Sequence, residues 1–112
     1  MSELADRIRA VIGDDPDVAE IRMFGGLCFT HNGNMQIVAS RDGSLMARVG
    51  PGQEAEALRR PGAERMVMRG REMTGYVTVP PDRLDDAALR DWIAMTGAFV
   101  KTLPPKKKGK KA

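Results

Sequence analysis

The residues of this chain best suited to covalent chemistry are its only cysteine and its only histidine, Cys28 and His31. A thiol beside an imidazole is a common nucleophile and base pair. Three residues apart on a strand, however, the two side chains point to opposite faces, because strand side chains alternate. His31 also adjoins the turn Asn32-Gly33, so we expect a solvated ring. The pair therefore does not predict nucleophilic catalysis.

The sequence supports metal or cofactor chemistry no better than it supports nucleophilic catalysis. One cysteine, one histidine and scattered carboxylates give no cluster with zinc-site spacing. A lone cysteine forms no intrachain disulfide, which fits a reducing compartment. We expect no catalytic residue, no metal and no cofactor.

The stretch Arg22-Met23-Phe24-Gly25-Gly26 contains a glycine pair that could cradle a phosphate. The chain lacks both Gly-x-Gly-x-x-Gly and a glycine-rich loop ending in Gly-Lys-Ser/Thr. Adjacent glycines entering a strand favour a bulge or a close approach that a Cβ would block. We interpret this stretch as structural or partner-binding, with Met23 and Phe24 in the core.

Two further groups of side chains point to binding. Arg22, Arg48 and Tyr76 offer polar groups to an otherwise apolar sheet face, and in a pocket they would orient a small ligand. Met66, Met68 and Met73 lie on predicted strands, where they fill a core or give a partner an adaptable surface. Residues 66 and 68 share one face.

The charge of the chain is divided sharply. Residues 1–100 carry twelve arginines and fifteen acidic residues, 12 − 15 = −3, and residues 101–112 carry six lysines, +6. Such a tail attracts phosphates without reading sequence, or is only a solvated end. The candidate nucleic-acid-binding residues, for non-specific DNA or RNA binding, are Lys106, Lys107, Lys108, Lys110 and Lys111.

Composition and length predict one folded domain. The chain has 112 residues, of which 42% are apolar and 29% charged. We expect a domain over residues 1–103 and a disordered lysine-rich tail over 104–112. The N-terminus has no secretory signal pattern and no apolar run could cross a bilayer, so we expect a cytoplasmic protein with no membrane partner.

Periodicity and turn signals give the elements. Asn32-Gly33 predicts a type I′ hairpin between strands 27–31 and 34–40, in which Cys28 opposes Ile37, Thr30 opposes Met35 and Leu27 opposes Val38. Residues 41–44 predict a second turn of the same kind. The remaining predictions are a helix over 2–12, a strand after Pro16, a strand over 45–49, a helix over 51–59, strands over 65–69 and 73–79, and a helix from its Asp85 cap to near Lys101.

These elements predict an α+β fold of two layers. The order is α-β-β-β-α-β-β-α, with an antiparallel sheet of about five strands. One sheet face would receive the helices. The other is also partly apolar, which suggests shielding by a partner subunit or a terminal segment.

The element order and several landmark residues together resemble the N-terminal domain of the TfoX/Sxy family of bacterial competence regulators. The resemblance covers about residues 3–100. The landmark residues are Arg22 to Gly26, Asn32-Gly33-Asn34-Met35, Arg41-Asp42-Gly43-Ser44-Leu45, Arg48-Val49, Tyr76 before Pro80, and Leu89 with Trp92. Two features depart from the family pattern: Leu45-Met46-Ala47-Arg48 lacks its usual aromatic residue, and the sequence ends where full-length TfoX proteins continue into a helical second domain.

The resemblance implies a stand-alone, non-enzymatic regulatory module linked to transcription through an unknown protein partner. The lysine tail would add non-specific attraction to nucleic acid. Two alternatives stay open on the residues themselves. One is a small-molecule-binding protein or small enzyme with a sheet-face pocket, and the other is a structural homodimer that joins through its sheet.

Overall fold

The structure, a computed structural model, describes residues 3–23 and 25–105. The elements are α1 (Glu3–Ile12), β1 (Val18–Met23), β2 (Gly26–His31), β3 (Asn34–Ala39), β4 (Leu45–Arg48), α2 (Glu54–Leu58), β5 (Glu64–Met68), β6 (Arg71–Val79) and α3 (Asp86–Val100). Short 3-10 turns, Pro51–Gln53 and Pro81–Arg83, precede α2 and α3. None of the described helices is long and apolar enough to cross a membrane.

The described strands form one antiparallel sheet in the order β1-β2-β3-β4-β6-β5. The predicted α+β class is therefore confirmed. The sheet has six strands because the strand expected after Pro16 pairs with β2 along its whole length, from Val18 opposite His31 to Met23 opposite Gly26. This pairing makes β1 one edge of the sheet.

The helices cover one face of the sheet and enclose the main core. Asp85 caps α3 as predicted, since its carboxylate accepts a hydrogen bond from the Ala88 N–H at 2.8 Å. The largest fully buried side chains of this core come from both layers: Ile8, Phe29, Ile37, Leu45, Val77, Leu89 and Trp92.

The two predicted hairpin turns differ in kind. Asn32 and Gly33 have φ angles of 51° and 83°, as a type I′ turn requires, so this prediction is confirmed. The second turn was expected to match it and does not. In that turn, only Gly43 has a positive φ, 90°, and the Asp42 carboxylate accepts hydrogen bonds from both the N–H and the hydroxyl of Ser44.

The register between β2 and β3 shifts by one residue at a bulge. Thr30 opposes Met35 as predicted, but Cys28 opposes Val38 rather than Ile37, and Leu27 opposes Ala39. Gln36 is the extra residue. Its amide donates to Thr96 Oγ1 at 3.0 Å and to the Ile93 carbonyl at 3.2 Å, which ties the bulge to α3.

His31 is buried, with 7% of its surface exposed, so the expectation of a solvated ring was wrong. The cause lies in segments that clamp the neighbouring turn. The Asn32 N–H donates to the Asp17 carbonyl at 2.8 Å, and the Asn34 amide donates to the Pro104 carbonyl at 3.0 Å. The turn is thus held between the chain before β1 and the chain after α3.

Candidate functional site

The sheet face away from the helices carries an apolar cluster that we call the methionine face. All of its members come from strands, and six of the seven methionines that the structure describes belong to it. Its buried residues are Cys28, Val38, Met46 and Met66, and its half-buried residues are Met23, Met35, Met68, Met73 and Tyr76. Within the described residues, no helix contributes to this cluster.

Strand alternation and the bulge together place these side chains. Met66 and Met68 share one face of β5, as their spacing predicts. On β3, the bulge turns Gln36 toward α3 and leaves Met35 and Val38 on the opposite face. The sequence predicted methionines on strands. It did not predict the bulge that places Met35 on the same face as the other methionines.

Ile21 extends the methionine face to the sheet edge. It lies opposite Cys28 in the register between β1 and β2, so it shares that face, and 40% of its surface is exposed. Val67 on β5 is also exposed, at 60%, but strand alternation directs it away from Met66 and Met68. The two edge strands therefore each carry an exposed aliphatic side chain, on opposite faces.

Cys28 contributes a small apolar side chain to the methionine face. It is fully buried, and burial raises the pKa of its thiol to about 11. A thiol with that pKa is protonated at neutral pH and is a poor nucleophile. Among the described residues, no group of His, Cys, Asp and Glu side chains is arranged to hold a metal ion.

Arg48 lies at one end of the methionine face, where its guanidinium contacts the ring of Tyr76 on β6 and the ring of Phe99 on α3. Its guanidinium carbon lies 5.8 Å from the Tyr76 ring centre and 5.4 Å from the Phe99 ring centre. One guanidinium nitrogen donates to the Met35 carbonyl at 3.3 Å. Cation–π contacts orient the charge while none of the described carboxylates pairs with it.

The Arg22 to Gly26 motif builds the turn from β1 to β2. Gly25 has a φ of 72°, a conformation that side chains disfavour. At Gly26, a Cβ would lie 2.3 Å from the Ala39 carbonyl oxygen. The glycine pair thus gives a tight turn and a close approach of β3, as the sequence interpretation proposed.

A cleft opens beside this turn on the helix side of the sheet. Its volume is about 940 Å³, and Arg9, Arg22, Arg41, Glu20 and Ser40 contribute its polar side chains. Arg9 holds Glu20 through two hydrogen bonds of 2.8 Å. We call this the arginine cleft.

The structure brings together only part of the predicted ligand-binding set. Arg48 and Tyr76 are directly opposite each other on β4 and β6. Arg22 lies on β1, three strands from Arg48, and it lines the arginine cleft instead. Met23 belongs to the methionine face. Phe24 and the lysines Lys106, Lys107, Lys108, Lys110 and Lys111 lie outside the described residues.

The sequence analysis did not identify three residues that contribute to the arginine cleft or to the methionine face. Arg41 was assigned only to a turn, yet its side chain crosses Gly25 and reaches the arginine cleft. Phe99 was assigned only to the apolar stripe of α3, yet it stacks on Arg48. Ile21 had a readable signal, because alternation places it on the same face as Met23.

The model of the TfoX N-terminal domain family matches residues 12–99 of the 112-residue chain. No curated protein and no solved structure matches the chain. The family match spans both the arginine cleft and the methionine face, apart from the α1 residues of the cleft that precede residue 12.

Proposed function

Because the chain belongs to the TfoX N-terminal domain family, we propose that it is a non-enzymatic regulatory module that binds a protein partner on its methionine face. Family membership supports a regulatory, competence-type role at the level of the family. The observation that carries the rest is the methionine face itself. It is an apolar sheet surface with an exposed aliphatic edge and an oriented cation at one end.

The partner that fits this surface is an amphipathic helix with a carboxylate near one end. Methionine side chains repack easily against apolar partners, so they suit a helix laid across the strands. Ile21 would pack at one side of such a helix. The remaining N–H groups of Arg48, already aimed by Tyr76 and Phe99, would bind the carboxylate.

We further propose that this binding regulates transcription in a bacterial cytoplasm. The lysines after Pro105 would add a salt-sensitive attraction to DNA or RNA without choosing a sequence. The module would then supply partner recognition, and the tail would raise its local concentration near nucleic acid.

The first test is a comparative capture from the native lysate with the full chain, Ile21→Lys and Val67→Lys. Both substitutions place a lysine on an exposed aliphatic position of an edge strand, but on opposite sheet faces. A partner of the methionine face is captured by the full chain and by Val67→Lys, and is lost with Ile21→Lys. A protein retained equally by all three forms contradicts binding on this face.

Light scattering over a concentration range separates a partner from a second copy of the chain. A monomer whose captured protein depends on Ile21 supports the proposal. A dimer that Ile21→Lys dissociates, with no other protein captured, replaces it with self-association through the same face.

The tail is tested with the full-length chain in which the five lysines from Lys106 to Lys111 are changed to glutamine. DNA binding that falls steeply with salt and disappears in this variant supports tethering. Binding that is unchanged in the variant contradicts it.

The link to transcription is tested by comparing transcript levels in the source cell after deletion of the gene. Complementation with the Val67→Lys form is expected to restore the wild-type pattern, and complementation with the Ile21→Lys form is not. Equal restoration by both forms would separate the regulatory role from the methionine face.

A further inference from the structure

The arginine cleft has a surplus of positive charge among its lining side chains. Four charged side chains line it, Arg9, Glu20, Arg22 and Arg41, and only Glu20 is acidic. Both oxygens of Glu20 accept hydrogen bonds from Arg9, and Arg9 also contacts Asp6. None of the described carboxylates pairs with Arg22 or Arg41.

Strand β1 places Arg22 on one side of β2, and the turn after β3 places Arg41 on the other side. Arg22 on β1 opposes Leu27 on β2, and Leu27 opposes Ala39 on β3, two residues before Arg41. Strands β1 and β3 are two inter-strand spacings apart, about 10 Å, and Arg41 lies in the turn two residues beyond the end of β3. Two extended arginine side chains can therefore reach one small anion held above Leu27.

The glycine pair contributes to this geometry. An added Cβ on Gly25 would lie 3.2 Å from Arg41 Cδ, so the Arg41 side chain crosses the turn where Gly25 leaves room for it. Ser40, next to Arg41, adds a hydroxyl to the cleft lining. The motif at residues 22–26 thus both carries Arg22 and makes space for Arg41.

From this arrangement we propose that the arginine cleft binds a small phosphate-bearing molecule. Two guanidinium groups match the charge and the several oxygens of a phosphate dianion, which accepts paired N–H donors well. A long polyanion fits less well, because residues 1–100 carry a net charge of −3, Glu20 lines the cleft, and Asp6 lies within hydrogen-bond distance of Arg9. The ligand is therefore a phosphomonoester or free phosphate rather than duplex nucleic acid.

The two arginines of this site lie off the methionine face, which shares Met23 with the cleft lining, so the test does not depend on the proposed function. The full chain labelled with ¹⁵N is titrated with inorganic phosphate and with ribose 5-phosphate at constant ionic strength, with acetate as the reference anion. Saturable shifts confined to amides around residues 22–27 and 39–41 are expected with the phosphates. Equal shifts with acetate, or no saturation, would overturn the proposal.

The ribose 5-phosphate titration distinguishes the two sources of the phosphate group. Tighter binding of the sugar phosphate than of inorganic phosphate assigns the cleft to phosphomonoesters. Equal affinity assigns it to free phosphate, and both results support the phosphate chemistry.

Charge variants with a matched control complete the test. Arg22→Gln and Arg41→Gln are each expected to weaken phosphate binding about tenfold or more, because each removes a charged hydrogen-bond donor. Arg90→Gln changes the net charge equally at an exposed position on α3 and is expected to leave binding unchanged. Equal weakening by all three, or displacement of phosphate by a short DNA duplex through the same two arginines, would overturn a small-molecule site.

Discussion

Replacing Gly26 with alanine should destabilise the protein far more than an ordinary glycine substitution. The added Cβ would lie 2.3 Å from the Ala39 carbonyl oxygen, 3.1 Å from the Ala39 carbonyl carbon and 3.0 Å from Ser40 Cα. All three atoms belong to the backbone, so no rotation of a side chain relieves the contact. Strands β2 and β3 would have to separate near the turn that carries Arg41.

The size of the effect follows from known costs of overpacking. Inserting a methyl group into a packed site costs about 1–3 kcal/mol, and a backbone obstacle places this site at about 3 kcal/mol. A chain of this length has a total stability of about 6–17 kcal/mol, so the variant should still fold. With an unfolding entropy of about 2.1 cal/mol/K per residue, each kcal/mol lowers Tm by about 4 °C, which predicts a loss of about 12 °C.

Urea and thermal unfolding of a glycine series measure this directly. Gly25→Ala should lose about 1–2 kcal/mol, because its φ is 72° but its nearest obstacle is the flexible Arg41 side chain. Gly52→Ala should lose nothing or gain up to about 1 kcal/mol, because an added Cβ there meets no atom within 4 Å. A Gly26→Ala variant as stable as Gly52→Ala would refute the close-approach explanation of the motif.

Three further predictions concern acid stability, the thiol and the bulge. The Gly75 N–H, and then Arg65, hold the pKa of the Glu54 carboxyl below its ordinary 4.5. This stabilisation is present above pH 4.5 and is lost as the pH falls through the lower native pKa, so the urea midpoint of Glu54→Gln should change less with acid than that of the wild type. An equal change in both would contradict the assignment. Cys28 should react with a thiol reagent at pH 8 much more slowly in the native than in the urea-unfolded protein, since it is buried with a pKa of about 11; equal rates would show an exposed thiol. Gln36→Ala should lose about 1–3 kcal/mol in urea unfolding, because it removes both hydrogen bonds to α3; an unchanged stability would mean that α3 does not anchor the bulge.

Local chemistry explains which parts of the fold the sequence predicts. The type I′ turn follows from Asn32-Gly33 alone, and the start of α3 follows from the Asp85 cap, so both could be assigned correctly. The bulge could not, because it depends on Gln36 meeting Thr96 sixty residues later. Burial of His31 likewise depends on chain segments before β1 and after α3.

The candidate site shows the same division. Alternation places Met66 and Met68 on one face, and that was predictable from their spacing. The contact between Arg48 and Phe99 depends on how α3 packs. The position of Arg22 in the arginine cleft depends on how the β3–β4 turn packs. The predicted ligand-binding set of Arg22, Arg48 and Tyr76 therefore combined residues from two different surfaces.

Methionine-methyl NMR gives the most direct test of the central claim that the methionine face binds a protein. The full chain carrying ¹³C-labelled methionine methyl groups is mixed with the protein that Ile21→Lys fails to capture. Shifts or broadening of Met23, Met35, Met68 and Met73 are predicted, while Met95, which lies on α3 and is buried in the main core, stays unchanged. Unperturbed methyls on the methionine face in the presence of the bound partner would contradict the account.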